Sequence, residues 1–278
     1  GDLQEAVRAS TARNPSGLWA QVTGESLTRD RSIGLGFDQT TTGLMAGFDM
    51  GLRSALAEGD LLLGGVFANL VSSTASVNGS ASELQLEGGG GGAYAAWRLG
   101  GFSLSGLVKL DSLTLEEAVP QADYSGEHEA LAIGGSLEAG WRLELGGDVW
   151  LRPAARLSYV KAWIDDLEGV GGELVTYDDP DSLNGRLGLS AGTTLAIAGA
   201  RFRPWLEVAV THEFLGETSA TVGALTPTLD LGGTGYEIGG GVTVLDLAEH
   251  LELRLDGRYA AGDQGSGVQV GAGLRFTW

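Results

Sequence analysis

Few residues of this chain could carry covalent or acid-base chemistry, and their spacing supplies them with no partners. Three histidines are present, His128, His212 and His250, with no cysteine. A Ser nucleophile needs a base within hydrogen-bond reach and a third group to orient that base. His250 falls in a short turn, and His212 shares the apolar parity of Val208 and Val210. His128 is the one catalytic candidate, and no partner for it is identifiable from spacing. Asp165, Asp166, Glu168, Asp178, Asp179 and Asp181 offer the oxygen ligands that Ca²⁺ takes, but they sit in one long linker and a solvated acidic loop explains them better. Gly88 to Gly92 has neither the Lys-Ser/Thr pair nor the following helix of a phosphate loop. No catalytic residue, metal site or cofactor is expected.

The charges that recur in alternate positions say more. From Leu251, the residues Leu251, Leu253, Leu255 and Tyr259 face one way, and Glu252, Arg254, Asp256 and Arg258 the other. Around Phe202, Leu206, Val208 and Val210 oppose Arg201, Arg203, Glu207 and Thr211. Around Leu131, Ile133, Leu137, Trp141 and Leu143 oppose Ser136, Glu138, Arg142 and Glu144. Period two is the signature of a strand with one oily and one wet face. Charges so spaced cannot face lipid, so the polar set must line an interior. That set includes Lys109, Asp111, Glu138, Arg142, Arg152, Arg156, Glu207, Glu252, Arg254, Asp256, Arg258 and Arg275. A charge in a narrow lumen is costly unless paired. Two pairings are open: with each other across strands, or with Arg8 and Arg13 of the N-terminal segment.

The elements that must position these side chains follow from the same alternation. We read about twelve strands, over Gly17 to Thr28, Thr41 to Leu56, Leu61 to Ala75, Ser82 to Leu99, Phe102 to Leu115, Glu127 to Leu145, Val149 to Ile164, Ser182 to Ile197, Arg201 to Phe214, Gly235 to Asp246, Leu251 to Ala261 and Gly265 to Trp278. In the last, Val268, Val270, Ala272, Leu274, Phe276 and Trp278 form the apolar set and end on an aromatic. Tight connections such as Gly100 to Gly101 and Gly199 to Ala200 alternate with longer ones such as Asp165 to Asp181 and Leu215 to Thr234. Short turns on one side and long loops on the other mark an outer-membrane barrel, which needs only about 9 to 11 residues per crossing. A soluble sandwich would have strands of roughly five or six residues. No run approaches the roughly 18 to 20 apolar residues of a membrane helix. Trp97, Trp141, Trp150, Trp163, Tyr159, Tyr259, Phe276 and Trp278 fall near strand ends and predict aromatic girdles. Trp19 has the opposite parity to Leu18 and Val22 and points inward.

Ahead of the strands, residues 1–16 read as a helix, with Asp2 and Glu5 at capping-box spacing and Asn14, Pro15 and Gly17 to stop it. The 47 glycines suit a tightly curved wall. The net charge of −19 argues against a nucleic-acid partner and against basic attachment to anionic lipid. The start at Gly1 carries no export signal, so a longer precursor is expected.

A small-residue helix, then Gly17-Leu18-Trp19 opening the first strand, then alternating strands ending in Leu274-Arg275-Phe276-Thr277-Trp278, together resemble the translocator domain of a monomeric autotransporter of type V secretion in Gram-negative bacteria. The resemblance implies an all-β fold, a twelve-stranded antiparallel outer-membrane barrel over residues 17–278 threaded by a linker helix over residues 1–16. It implies no enzyme but a translocator that brings an upstream passenger domain to the cell surface and anchors it. Its partners would be that passenger, the bilayer and lipopolysaccharide around a monomer, and the barrel-assembly machinery, which reads the closing strand with Val270, Leu274, Phe276 and Trp278. The plugged lumen would conduct little. Some members cleave the helix at an Asn flanked by acids; here Asn14 adjoins Pro15, a departure that argues against self-cleavage. The alternatives are a self-standing channel for small solutes and a lipid-modifying enzyme around His128.

Overall fold

The computed structural model describes residues 16–29, 36–79, 81–119, 124–165, 167–168, 174–177, 179–197, 199–222, 228–230, 232–263 and 265–278. The helix expected over residues 1–16, with Arg8, Arg13 and Asn14, lies outside the described residues apart from Ser16, whose Oγ accepts a hydrogen bond from Gly51 N at 3.4 Å.

Twelve long strands form the wall. They are β1 (Gly17–Arg29), β2 (Phe37–Arg53), β3 (Leu61–Val77), β4 (Glu83–Leu99), β5 (Phe102–Val119), β6 (Tyr124–Trp141), β7 (Val149–Ile164), β8 (Asp181–Gly192), β9 (Ala200–Glu213), β10 (Gly233–Ala248), β11 (Leu251–Gly262) and β12 (Gly265–Thr277). Short pieces, Leu143–Gly146 and Leu195–Ile197, continue β6 and β8 after a break. Each strand pairs antiparallel with its sequence neighbours. Gly17 of β1 pairs with Asp49 on β2 and with Thr277 on β12, so first and last strands meet and the sheet has no edge. Closure satisfies every ladder within the wall, the condition for strands to cross lipid.

Alternation sorts the two faces. Leu70, Val108 and Leu206, outward on β3, β5 and β9, are 62%, 61% and 71% exposed. Exposed apolar side chains on every strand make a belt that only lipid would cover. At the short-turn end, Phe48 stacks on Trp278 with ring centroids 5.7 Å apart, and Phe102 lies 5.9 Å from Trp97 and 6.1 Å from Trp141. One expected girdle residue is elsewhere. Trp150 points inward and is buried over Gly192, where an added Cβ would lie 2.5 Å from the indole. Proximity to a strand end does not set the face; parity does, and Trp150 shares that of Arg152 and Arg156.

The strands reach further outward than expected. β2 begins at Phe37, and β5 and β6 run to Val119 and from Tyr124, so much of the expected Glu116 to Gly126 loop is strand. Apolar alternation ends with the lipid belt, but backbone pairing continues wherever a neighbour is present. Polar rungs such as Gln39 to Ser73 at 2.9 Å and Thr41 to Ser73 at 2.8 Å line this upper part. The two longest loops, expected as linkers, also contain strands. Leu167–Glu168, Leu174–Tyr177, Glu217–Val222 and Thr228–Asp230 form a separate four-stranded antiparallel sheet joining the β7–β8 and β9–β10 connections.

The β2–β3 turn is built on one carboxylate. Asp60 accepts hydrogen bonds from the backbone N–H of Ala55, Leu56 and Ala57 at 2.7, 3.0 and 2.9 Å and from Trp97 Nε1 at 2.8 Å. Burial works to raise its pKa, but these four donors outweigh it and hold the carboxyl below its ordinary value of 3.8. A depressed folded-state pKa adds stability above the unfolded value and loses it as pH falls through the folded one. Asp60→Asn is therefore expected to destabilise the barrel fully near about pH 7, with the gap to wild type narrowing below pH 3.8. Urea melts at both ends of that range check it, and an equal gap at each would refute the assignment.

Candidate functional site

The lumen is lined by paired charges held at fixed register. On β6, Glu138 is 1% exposed and takes Arg152 Nη2 at 2.7 Å and Arg156 Nη2 at 2.9 Å, both from β7. Arg152 also donates to Ser103 Oγ on β5 at 3.2 Å. Glu138 stands directly opposite Arg156 in the β6–β7 ladder, so cross-strand pairing is a consequence of register. On β8, Arg186 bridges Glu207 of β9 and Glu237 of β10, the latter at 2.8 Å, and Arg258 of β11 approaches Glu237 at 3.5 Å. Lys109 pairs with Asp111 at 2.6 Å, and Asn69 donates to Asp111 at 2.8 Å. Arg254 pairs with Asp256 at 2.8 Å, and Arg142 with Glu144 at 2.6 Å. Glu252 is inward on β11 beside Arg203.

A second network crosses the closing seam. Asp49 is wholly inaccessible and receives both arms of Arg275, at 2.6 and 2.8 Å, together with Tyr94 Oη–H at 2.8 Å. Trp19 Nε1 donates to Tyr94 Oη at 2.9 Å. The chain of contacts thus joins β12, β2, β4 and β1. Trp19, Leu63, Phe67 and Tyr94 pack as a buried cluster beside it. Trp19 lies over Gly47, where a Cβ would sit 2.5 Å from the indole.

The geometry is that of a sealed cylinder, polar within and apolar without. A model of the autotransporter β-domain matches residues 18–258. The chain belongs to the autotransporter β-domain family. Over 272 residues, 96% of this chain, it is 29% identical to the autotransporter CRAC of Citrobacter rodentium, of which it spans 17%. It is 28% identical over 229 residues, 80% of this chain, to the autotransporter adhesin/invasin TibA of Escherichia coli, of which it spans 23%. Thus the chain covers less than a quarter of these relatives. The crystal structure of the β domain of the Bordetella autotransporter BrkA superposes with a TM-score of 0.79 at 24% identity, covering 95% of this chain and 99% of that one.

Family membership makes this chain an outer-membrane translocator domain and sets aside the channel and rim-enzyme readings. The rim-enzyme reading rests on His128, which is inward on β6; among the described residues nothing hydrogen-bonds its Nε2. His212 lies outward against Phe214, ring centroids 4.7 Å apart, and His250 stands in the β10–β11 turn. Among the described residues no cluster of acids and histidines could hold a metal. Of the inward charges named from sequence, Glu138, Arg152 and Arg156 come together, as do Lys109 with Asp111 and Arg254 with Asp256. Arg275 meets Asp49 instead, a residue missed in the sequence along with Tyr94, Arg186 and Glu237. Parity would have found Asp49: it sits between Phe48 and Met50, both outward.

Proposed function

We propose that this β-domain carries a passenger encoded ahead of residue 1 to the cell surface and then anchors it, with residues 1–16 as a helix threading the lumen. The observation that carries this is the closed barrel lined with fixed charge pairs. Such a wall offers a polar path one polypeptide segment wide, set beside a helix of roughly 10 to 12 Å with side chains. Ser16 supports the threading: its Oγ accepts a hydrogen bond from Gly51 N of β2 at the short-turn end. Arg8 and Arg13 then contact the inward set in which Asp111, Glu138 and Glu207 are the acids. Val270, Leu274 and Phe276 of β12 and Trp278 just after it are outward and exposed and present the closing strand to the barrel-assembly machinery. The apolar belt is covered by lipid and lipopolysaccharide, and the barrel acts as a monomer.

A tagged reporter fused ahead of Gly1 behind an export signal tests the proposal. Protease added to intact cells should remove the reporter while the barrel stays heat-modifiable on a gel. A folded barrel with the reporter protected in the periplasm would overturn the translocation reading.

A further inference from the structure

We infer that Asn78, in the β3–β4 turn, is a site of spontaneous modification: its carboxamide is lost through a ring closed by the Gly79 amide nitrogen, which leaves aspartate or isoaspartate on the long-loop side of the barrel. The inference rests on the barrel fold and stands whether or not a passenger is carried. The chain holds four asparagines, and two of them, Asn78 and Asn184, are followed by glycine. An Asn-Gly pair lets the following nitrogen reach the side-chain carbonyl carbon most easily, since glycine puts no Cβ in the way and rotates freely. Water is the only co-reactant. The Gly79 nitrogen gives its proton to solvent hydroxide and bonds to Asn78 Cγ, and the side-chain nitrogen takes a proton from water and leaves as ammonia. Water then opens the cyclic imide. Cleavage at Cγ leaves aspartate; cleavage at the main-chain carbonyl leaves isoaspartate, with the chain running through the β-carbon. Either product adds a negative charge.

The two sites share a dipeptide and differ in structure. Asn78 directly follows β3, and Gly79 is exposed with φ at 80°, in the left-handed region. The turn is anchored beside the pair, by Asn78 N donating to Gly36 O at 2.8 Å and Val77 N donating to Ser82 O at 3.2 Å. Neither contact uses the Gly79 nitrogen, so the bonds around it can rotate without parting a ladder. Asn184 lies within β8, where Gly185 stands opposite Leu157 of β7 and His212 of β9. A residue laddered on both sides has its N–H committed to a neighbouring strand. The Asn184 carboxamide is turned to Glu213, with Nδ2 donating to Oε2 at 3.5 Å. Ring closure at Asn184 therefore requires β8 to open. Opening a core strand costs close to the global unfolding free energy, whereas turns open at almost no cost.

The test is peptide mass spectrometry of the full chain, folded in lipid vesicles and incubated at mildly alkaline and mildly acidic pH, with heat-modifiability on a gel to confirm the fold throughout. Asn78 should convert to a mixture of aspartate and isoaspartate, faster at the alkaline pH because attack needs a deprotonated nitrogen. Asn184 in the same molecules should convert at least about a hundredfold more slowly, the protection expected of a core strand. In urea, with the ladder gone, the two should convert at similar rates. Asn78→Gln, whose longer side chain closes the ring poorly, should remove the more acidic species that isoelectric focusing resolves in the incubated barrel. An Asn78 that keeps its amide in the folded barrel while the unfolded chain loses it would overturn the inference. So would equal conversion of Asn78 and Asn184 in the folded barrel, or an acidic species that persists in Asn78→Gln.

Discussion

Asp49→Ala is expected to lower the unfolding free energy of the barrel by about 3 to 5 kcal/mol, the range for stripping one partner from a buried ion pair. The carboxylate has no solvent access and three donors, two from Arg275 and one from Tyr94. Its loss strips the Arg275 guanidinium, 5% exposed, of the carboxylate that takes both its arms. It also releases Tyr94, whose hydroxyl holds the Trp19 indole. The damage falls where β12 meets β1, the junction that closes the sheet. Urea unfolding of the folded barrel, followed by tryptophan fluorescence and gel mobility, measures the loss. Arg275→Met removes the stranded charge, so Asp49→Ala with Arg275→Met should fall well short of the sum of the singles. Additive losses would mean that the pair contributes through packing alone, and an Asp49→Ala loss under about 0.5 kcal/mol would place it with neutral surface changes.

The second large effect is expected at Gly90, where Gly90→Ala should cost about 2 to 3 kcal/mol. A Cβ there would press on the Leu110 carbonyl oxygen and lie 2.5 Å from Asp111 Oδ1 and 2.8 Å from Asp111 Cα. Two of these obstacles are backbone of β5 and cannot swing aside. Making room means parting the β4–β5 ladder beside the Lys109, Asp111 and Asn69 contacts. Gly106→Ala is the internal control, because its Cβ would find its nearest neighbour at an ordinary 3.5 Å. Equal melting of the two variants would refute the close-approach account of the glycine run in β4.

Period-two alternation let the wall be read residue by residue. In β11, Leu253 and Leu255 could not share a face with Arg254 and Asp256, whatever the partner strands, because successive side chains point to opposite sides. The same local rule placed Trp19 in the lumen and, applied to β2, would have placed Asp49 there. Applied to Trp150 it would have overruled the girdle assignment, which relied on distance from the strand end. The tight turns at Gly100 and Gly199 and the aromatic end of β12 were legible for the same reason: each is a property of neighbouring residues.

Pairing partners were not. Glu138 meeting two arginines of one hairpin follows from register, and register is set by the whole ring. Arg275 reaching Asp49, 226 positions away, exists only because the sheet closes. The outward extension of β5 and β6, and the small sheet made by two separate loops, likewise depend on backbone hydrogen bonds to a neighbouring strand, which impose little demand on side-chain type. Which faces are wet and which are oily was thus written in the order of the residues, since a strand alternates by covalent geometry. Which charges neutralise one another was decided by closure, since only a ring brings β12 to β1 and sets one strand's inward row against another's.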